Sequence, residues 1–155
     1  MANLTGPTQL LGADTTQVDT TAVHKLGTRA FDADGNEYIY LQGVASTAAS
    51  DWVTYDEAFA TARLVADANG PVAVAMAAIV ASSYGWYMIW GDVSAAGTAT
   101  TDNTAVYIDS NAGKVDDTGV AGDLVFGVTA RSTVSGGLFT AQLTHPYVLD
   151  GAYLV

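Results

Sequence analysis

The chain has 155 residues, enough for a single domain with a hydrophobic core of ordinary size. Sixteen acidic residues against five basic ones give a formal net charge of -11, which disfavours nucleic-acid binding, because counterion release from phosphates needs clustered Lys and Arg. There is no cysteine, so disulfides, zinc–thiolate centres, iron–sulfur ligation and thiol nucleophiles are excluded together.

Residues 1–23 contain Gly6-Pro7, Gly12 and a Thr/Asp-rich stretch with few periodic apolar positions, and predict an extended N-terminal arm. Leu4, Leu10, Leu11 and Val18 are its anchors, on the domain itself or on a partner, and a frayed terminus is the competing reading. The opening residues lack the basic and long apolar regions of a secretory signal, so synthesis in a cytoplasm is expected.

From residue 24 to 155 the pattern predicts one β domain. FDADGNEYIYLQG, residues 31–43, starts like a calcium loop with oxygen ligands at Asp32, Asp34 and Asn36. An EF-hand needs Gly at position 6 and a bidentate Glu at position 12, and here those positions hold Glu37 and Gly43. A tight turn through Asp34-Gly35 or Gly35-Asn36 between two strands accounts for every residue, and no metal or other cofactor is predicted. In EYIYLQG, alternation puts Tyr38 and Tyr40 on one face and Ile39 and Leu41 on the other. Both faces are apolar, so the strand is either sandwiched in a core or covered on one side by a neighbouring subunit, and the second is the expectation.

Thr54-Tyr55-Asp56-Glu57 matches a capping box and predicts a short helix, against continuation of a strand from Trp52 and Val53. After Gly70-Pro71, Val72 to Ala81 is the most apolar run and, being well short of the roughly 20 residues a spanning helix requires, predicts core. In GWYMIWGDV, alternation groups Trp86, Met88 and Trp90 on one face, Tyr87 and Ile89 on the other. Gly136-Gly137 predicts a two-residue hairpin turn with Val134 opposite Phe139, Ser132 opposite Ala141 and Ala130 opposite Leu143. Phe126, Val128, Ala130, Val134, Phe139, Ala141 and Leu143 then share the buried face. Frequent turn signals and short strands predict an all-β fold, a small β-barrel or sandwich of antiparallel strands with at most one or two short helices.

No nucleophile elbow, Walker loop, zinc-protease helix motif or dinucleotide fingerprint appears, and no enzymatic activity is predicted. His145 precedes Pro146 and predicts a loop histidine, and Asp116-Asp117 predicts a solvated turn rather than a working carboxylate pair. Interface chemistry remains: Tyr38, Tyr40, Trp52, Trp86 and Trp90, with Leu4, Leu10 and Leu11 of the arm, are the candidate contact residues, since Trp and Tyr anchor interfaces.

Three stretches carry a resemblance: HKLGTRAFDADGNEYIYLQGVAST, DWVTYDEAFATARLVADANGPVAVAMAAIVASSYGWY and NAGKVDDTGVAGDLVFGVTARS. Together, from about His24 to Tyr147, they resemble the head decoration, or cement, proteins of tailed bacteriophages. The resemblance implies a β-rich structural virion protein on the exterior of the capsid. It would bind the major capsid protein, associate with itself as trimers bridging capsomers, and stabilise the shell. It implies no catalytic residues, no nucleic acid and no membrane. A tail or fibre-base virion component and an extracellular carbohydrate-binding or adhesin-like module are the alternatives.

Overall fold

A computed structural model describes residues 13–149, so Leu4, Leu10 and Leu11 lie outside the described residues. The described residues form an all-β domain with eleven strands and no helix. In chain order they are β1 (Val18–Asp19), β2 (Arg29–Phe31), β3 (Glu37–Gln42), β4 (Trp52–Tyr55), β5 (Thr61–Arg63), β6 (Gly70–Ala75), β7 (Tyr84–Ala96), β8 (Tyr107–Ile108), β9 (Val115–Asp116), β10 (Val125–Ala130) and β11 (Leu138–Val148).

The main sheet runs β2-β3-β7-β11-β6-β4-β5, with β1 added to β7 and β10 to β11. It also closes on itself. β6 pairs directly with β7 at Val74↔Met88 and Ala75↔Tyr87. At the far side β5 returns to β3 through a parallel bridge, Ala60 to Gln42, where the Gln42 amide donates to the Phe59 carbonyl (3.1 Å) and the Thr61 hydroxyl to the Gln42 carbonyl (2.8 Å). Four antiparallel pairings and one parallel contact therefore make a ring of β3, β7, β6, β4 and β5. Closure removes two of the edges that an open sheet would expose.

Alternation now has two cores to serve. Ile39, Leu41, Val53, Ala73, Ala75, Tyr87 and Ile89 point into the ring, with Ile79 from the following loop, and are buried there. Alanines at two of these positions suit the narrow lumen of so few strands. The opposite sides of the same strands, Tyr38, Tyr40, Trp52, Val72, Val74, Trp86 and Met88, pack into the larger core beneath β8–β11. Each fully buried large side chain contributes about 1.5–3 kcal/mol over leaving it exposed, against roughly 0–1 for a half-exposed ion pair, so these two cores hold the fold. The second apolar face of β3 is thus covered by this chain's own residues, Val18, Phe59 and Ala77 among them, rather than by a neighbouring subunit.

Other sequence expectations divide. The turn at Asp32 is as expected, with Gly35 at φ 85°. Asp32 organises it: Oδ1 accepts the Asp34 and Asn36 amides, and Oδ2 accepts the Asn36 side chain and the Tyr38 hydroxyl. The segment after Thr54 is not helical; Trp52–Tyr55 continues as strand, and the Asp56 carboxylate accepts the Ala58 and Ala60 amides in a turn that sends the chain back as β5. Pairing of β4 with both β5 and β6 outweighs the local capping signal. Of the expected arm, residues 13–23 lie against the domain: Val18 and Asp19 pair with Gly85 and Tyr84, and Tyr40 donates its hydroxyl to Asp19 Oδ2 (2.6 Å).

The hairpin turns where expected, with Gly136 and Gly137 both at positive φ and Ser135 bridged to Leu138. Beyond the tip the register is Ala130↔Ala141 and Val128↔Leu143, two residues off the expected pairing. The chain bulges out at residues 131–134, where the Ser132 carbonyl accepts the Thr100 hydroxyl. A slip of two keeps parity, so Val128, Ala130, Phe139, Ala141 and Leu143 still face the core.

Candidate functional site at the mouth of the barrel

Simple alternation groups Trp86, Met88 and Trp90 on one face, and the structure separates them. Trp86 pairs with Tyr40 and Met88 with Tyr38, but Trp90 pairs with Glu37, leaving Ile89 as an extra residue in β7. This bulge flips parity, so Ile89 stays inside the ring while Trp90 joins the ring-side face at its open end. Gly91 follows at φ 108°, and a Cβ there would lie 2.0 Å from Asn36 Oδ1, so the bend is reserved for glycine.

At the same end β11 is wedged between β7 and β6, pairing Thr144 with Trp90 on one side and Tyr147 with Pro71 on the other. Its own irregularity lies at the fork: Gly127 and His145 both have positive φ, and the β10–β11 register shifts between Phe126 and Val128. Strand pairing then places two sets of residues at this end, joined through β11. Phe31 lies opposite Glu37, Glu37 opposite Trp90, Pro71 opposite Tyr147, and Tyr147 opposite Phe126.

Within this mouth Glu37 is buried and doubly held. Oε1 accepts Arg29 Nη1 at 2.9 Å, and Oε2 lies 2.6 Å from His145 Nε2. The Arg29 and His145 side chains are each about half exposed, so the carboxylate is internal while the two side chains that hold it reach water. Trp90, 43% exposed, lies against the His145 ring with centroids 5.1 Å apart. Tyr147, also 43% exposed, stacks on Phe126 at 4.9 Å with the rings 8° from parallel. Burial pushes the Tyr55 hydroxyl's pKa above its ordinary value, with Arg29 and Glu37 acting on it in opposite senses. Beside Tyr55 and Pro71 opens a cleft of about 560 Å³, also lined by Asp56, Glu57, Thr61 and Asn69.

Of the candidate contact residues, Trp90 alone among those described keeps substantial exposed area. Tyr38, Tyr40, Trp52 and Trp86 are buried within this chain, with at most 5% exposure, and offer a partner no surface. Their polar and ring contacts are made inside the domain. Trp52 donates Nε1 to the Ala96 carbonyl (2.9 Å), and Tyr40 and Trp86 enclose His24 at 5.1 and 5.2 Å. Burial, then the bond to Asp19, pushes the Tyr40 pKa up to about 12. Phe31, Tyr55 and Tyr147 are not among the expected contact residues, and Phe126, expected on the buried face, instead stacks on half-exposed Tyr147 beyond the register shift between Phe126 and Val128. Only aromatic character marked the first three.

A second group of acids lines a separate cavity of about 280 Å³, formed by Asp109, Asp116 and Asp123 with Ile108 and Val120. Asp116 lies opposite Tyr107 in the β8–β9 pair and is acted on by the carboxylates of both Asp109 and Asp117, the latter accepting the Thr101 hydroxyl (2.8 Å). Burial raises Asp109, but bonds from Thr98 and from the Asn111 amide and side chain outweigh it and lower the carboxyl overall; burial and the Asp109 charge raise Asp116. Among the described residues no three His, Asp or Glu side chains are grouped so as to hold a metal ion.

Comparison with protein families, with characterised proteins and with solved structures gives no match for this chain.

Proposed function

We propose that this chain is a structural virion protein that coats the exterior of a tailed-phage capsid and stabilises it. The observation that carries the reading is the self-sufficiency of the fold: both faces of the central strands are covered by the chain's own side chains, and the ring closes without a second subunit. A subunit added to a finished shell has to fold before it binds, and this architecture suits that order of events. The resemblance of residues 24–147 to cement proteins supports the same reading. Strong acidity suits a protein that does not compete for the packaged genome. Many weak contacts, each made by one copy, add up through multivalency, and trimers bridging capsomers are the arrangement the resemblance implies.

The experiment is addition of the purified chain to undecorated heads of its phage. Saturable binding at hundreds of copies, with increased resistance to heat, is expected. Absence of binding to heads would overturn the proposal, and a copy number in the tens with tail localisation would replace it with a tail component.

A further inference from the structure

We propose that the mouth of the barrel is a binding site for neutral oligosaccharides, independently of any capsid contact. Barrel mouths are recurrent ligand sites, and this one offers the two kinds of group that sugars need together. The first is a pair of rigid aromatic platforms. Trp90 is set by the Ile89 bulge and the His145 ring, and Tyr147 by its stack on Phe126, so each half-exposed ring is held in place before a ligand arrives. A sugar's C–H face packs on such a surface with little side-chain entropy to lose.

The second is fixed polar chemistry of both hydrogen-bonding senses. Buried Glu37 pins the Arg29 guanidinium and the His145 imidazole, whose side chains remain half exposed, the guanidinium with further N–H groups and the imidazole with its second ring nitrogen. Alongside, the 560 Å³ cleft is lined by the Glu57 carboxylate, by Asp56, whose Oδ1 already accepts the Ala58 and Ala60 amides, and by the hydroxyls of Tyr55 and of Thr61, the latter donating to the Gln42 carbonyl. Hydroxyls of a saccharide both donate and accept, so a surface carrying donors and acceptors matches them. An apolar peptide would leave these polar groups unpaired at a cost. The chain's charge of -11 and the carboxylates in the cleft repel sulfated or uronic sugars, which leaves the neutral ones.

The test uses the position of the three tryptophans. Trp52 and Trp86 are at most 3% exposed, so acrylamide-accessible emission of the full chain reports on Trp90. The probes are maltohexaose, cellohexaose, mannohexaose and chitohexaose, titrated to millimolar concentration. At least one is expected to shift Trp90 emission saturably and to protect it from acrylamide. By calorimetric titration, Trp90→Ala and Tyr147→Ala should each weaken that binding at least fivefold. Tyr147→Phe, which keeps the ring, should bind within twofold of the parent and guards against a folding defect in the alanine variants. No saturable shift with any of the four, or equal binding by a folded Trp90→Ala variant, would overturn the proposal. Head binding without oligosaccharide binding would retain the capsid reading and remove this one alone.

Discussion

Glu37 and His145 lie 108 residues apart in sequence, yet Glu37 Oε2 sits 2.6 Å from His145 Nε2. The contact joins β3 to the irregular stretch of β11 that forks β7 from β6, with Arg29 completing the hold from β2. Glu37→Ala leaves the Arg29 guanidinium and the His145 ring without their shared partner and opens a gap at a buried position. Because Arg29 and His145 are half exposed and water replaces part of what is lost, the cost expected is about 1–2 kcal/mol rather than that of a fully buried pair. Arg29→Ala, with Glu37 still held by His145, should cost about 0–1 kcal/mol. Urea midpoints of the two variants check the order, and an Arg29→Ala loss exceeding that of Glu37→Ala would contradict it.

Trp52 is wholly buried, gives its Nε1 proton to the Ala96 carbonyl and stacks on Phe139 at 6.4 Å. Trp52→Phe keeps an aromatic ring but orphans the carbonyl and leaves a void, so a loss of about 1–3 kcal/mol is expected. Trp52→Ala should lose about 3–5 kcal/mol, enough to unfold a domain of ordinary stability. Equilibrium denaturation gives both numbers, and a Trp52→Phe variant as stable as the parent would show the hydrogen bond to be dispensable.

Gly43 approaches the backbone after β6 so closely that an added Cβ would lie 2.1 Å from the Ile79 carbonyl oxygen and 2.6 Å from that of Val80. Those atoms belong to the loop whose Ile79 plugs the ring. Gly43→Ala must therefore push a plug out of a packed core, and a loss of about 1–3 kcal/mol is expected. Faster amide exchange around residues 77–83 in Gly43→Ala should accompany it. Unchanged stability and exchange would mean that the loop shifts at no cost.

The alternation of EYIYLQG, the Gly136-Gly137 turn and the all-β class were legible because each is set by local rules: a period of two, and glycines at positive φ. The closure of the ring was not, since a single bridge from Ala60 to Gln42 leaves no periodic trace. Trp90 shows the limit most clearly. One extra residue, Ile89, reverses its face, and a bulge of that kind has no signature beyond the following Gly91. Aromatic content marked Tyr38, Tyr40, Trp52 and Trp86 as interface candidates, but all four are buried within the domain and make their contacts internally. The capping box failed for a related reason: a strong local motif lost to pairing on both sides of β4.

Asp32 is the hub of the turn that opens β3. Burial pushes its carboxyl pKa upward, but bonds from the Asn36 side chain and amide, the Tyr38 hydroxyl and the Asp34 amide outweigh it and hold it below the ordinary value. A carboxyl lowered in the folded state contributes stability above its unfolded pKa of about 3.9, and that contribution is lost as pH falls through the folded value. Asp32→Ala should thus be less stable at pH 7 by about 1–2 kcal/mol. The gap to the parent should narrow as acid protonates Asp32, measured as the difference in urea midpoints from pH 7 to 2. A gap independent of pH would assign the loss to turn geometry alone.

Asp116 has the opposite sign. Burial and the Asp109 charge raise its carboxyl pKa, so at neutral pH the folded chain holds a charge that it disfavours relative to the unfolded chain. Its contribution is most favourable below the unfolded pKa of about 3.9 and is withdrawn as pH rises through the folded value. Asp116→Asn removes the charge and keeps an oxygen for the Thr118 amide, which Asp116 Oδ1 now accepts at 2.9 Å. The variant should be more stable than the parent at pH 7 by a few tenths to about 1 kcal/mol, with the gain fading towards pH 3. Sodium chloride should shrink the gain only modestly, because the pair lines a partly enclosed cavity rather than open surface. Destabilisation at pH 7, or a gain equally large at pH 3, would show that repulsion from Asp109 is not what Asp116 contributes to this end of the domain.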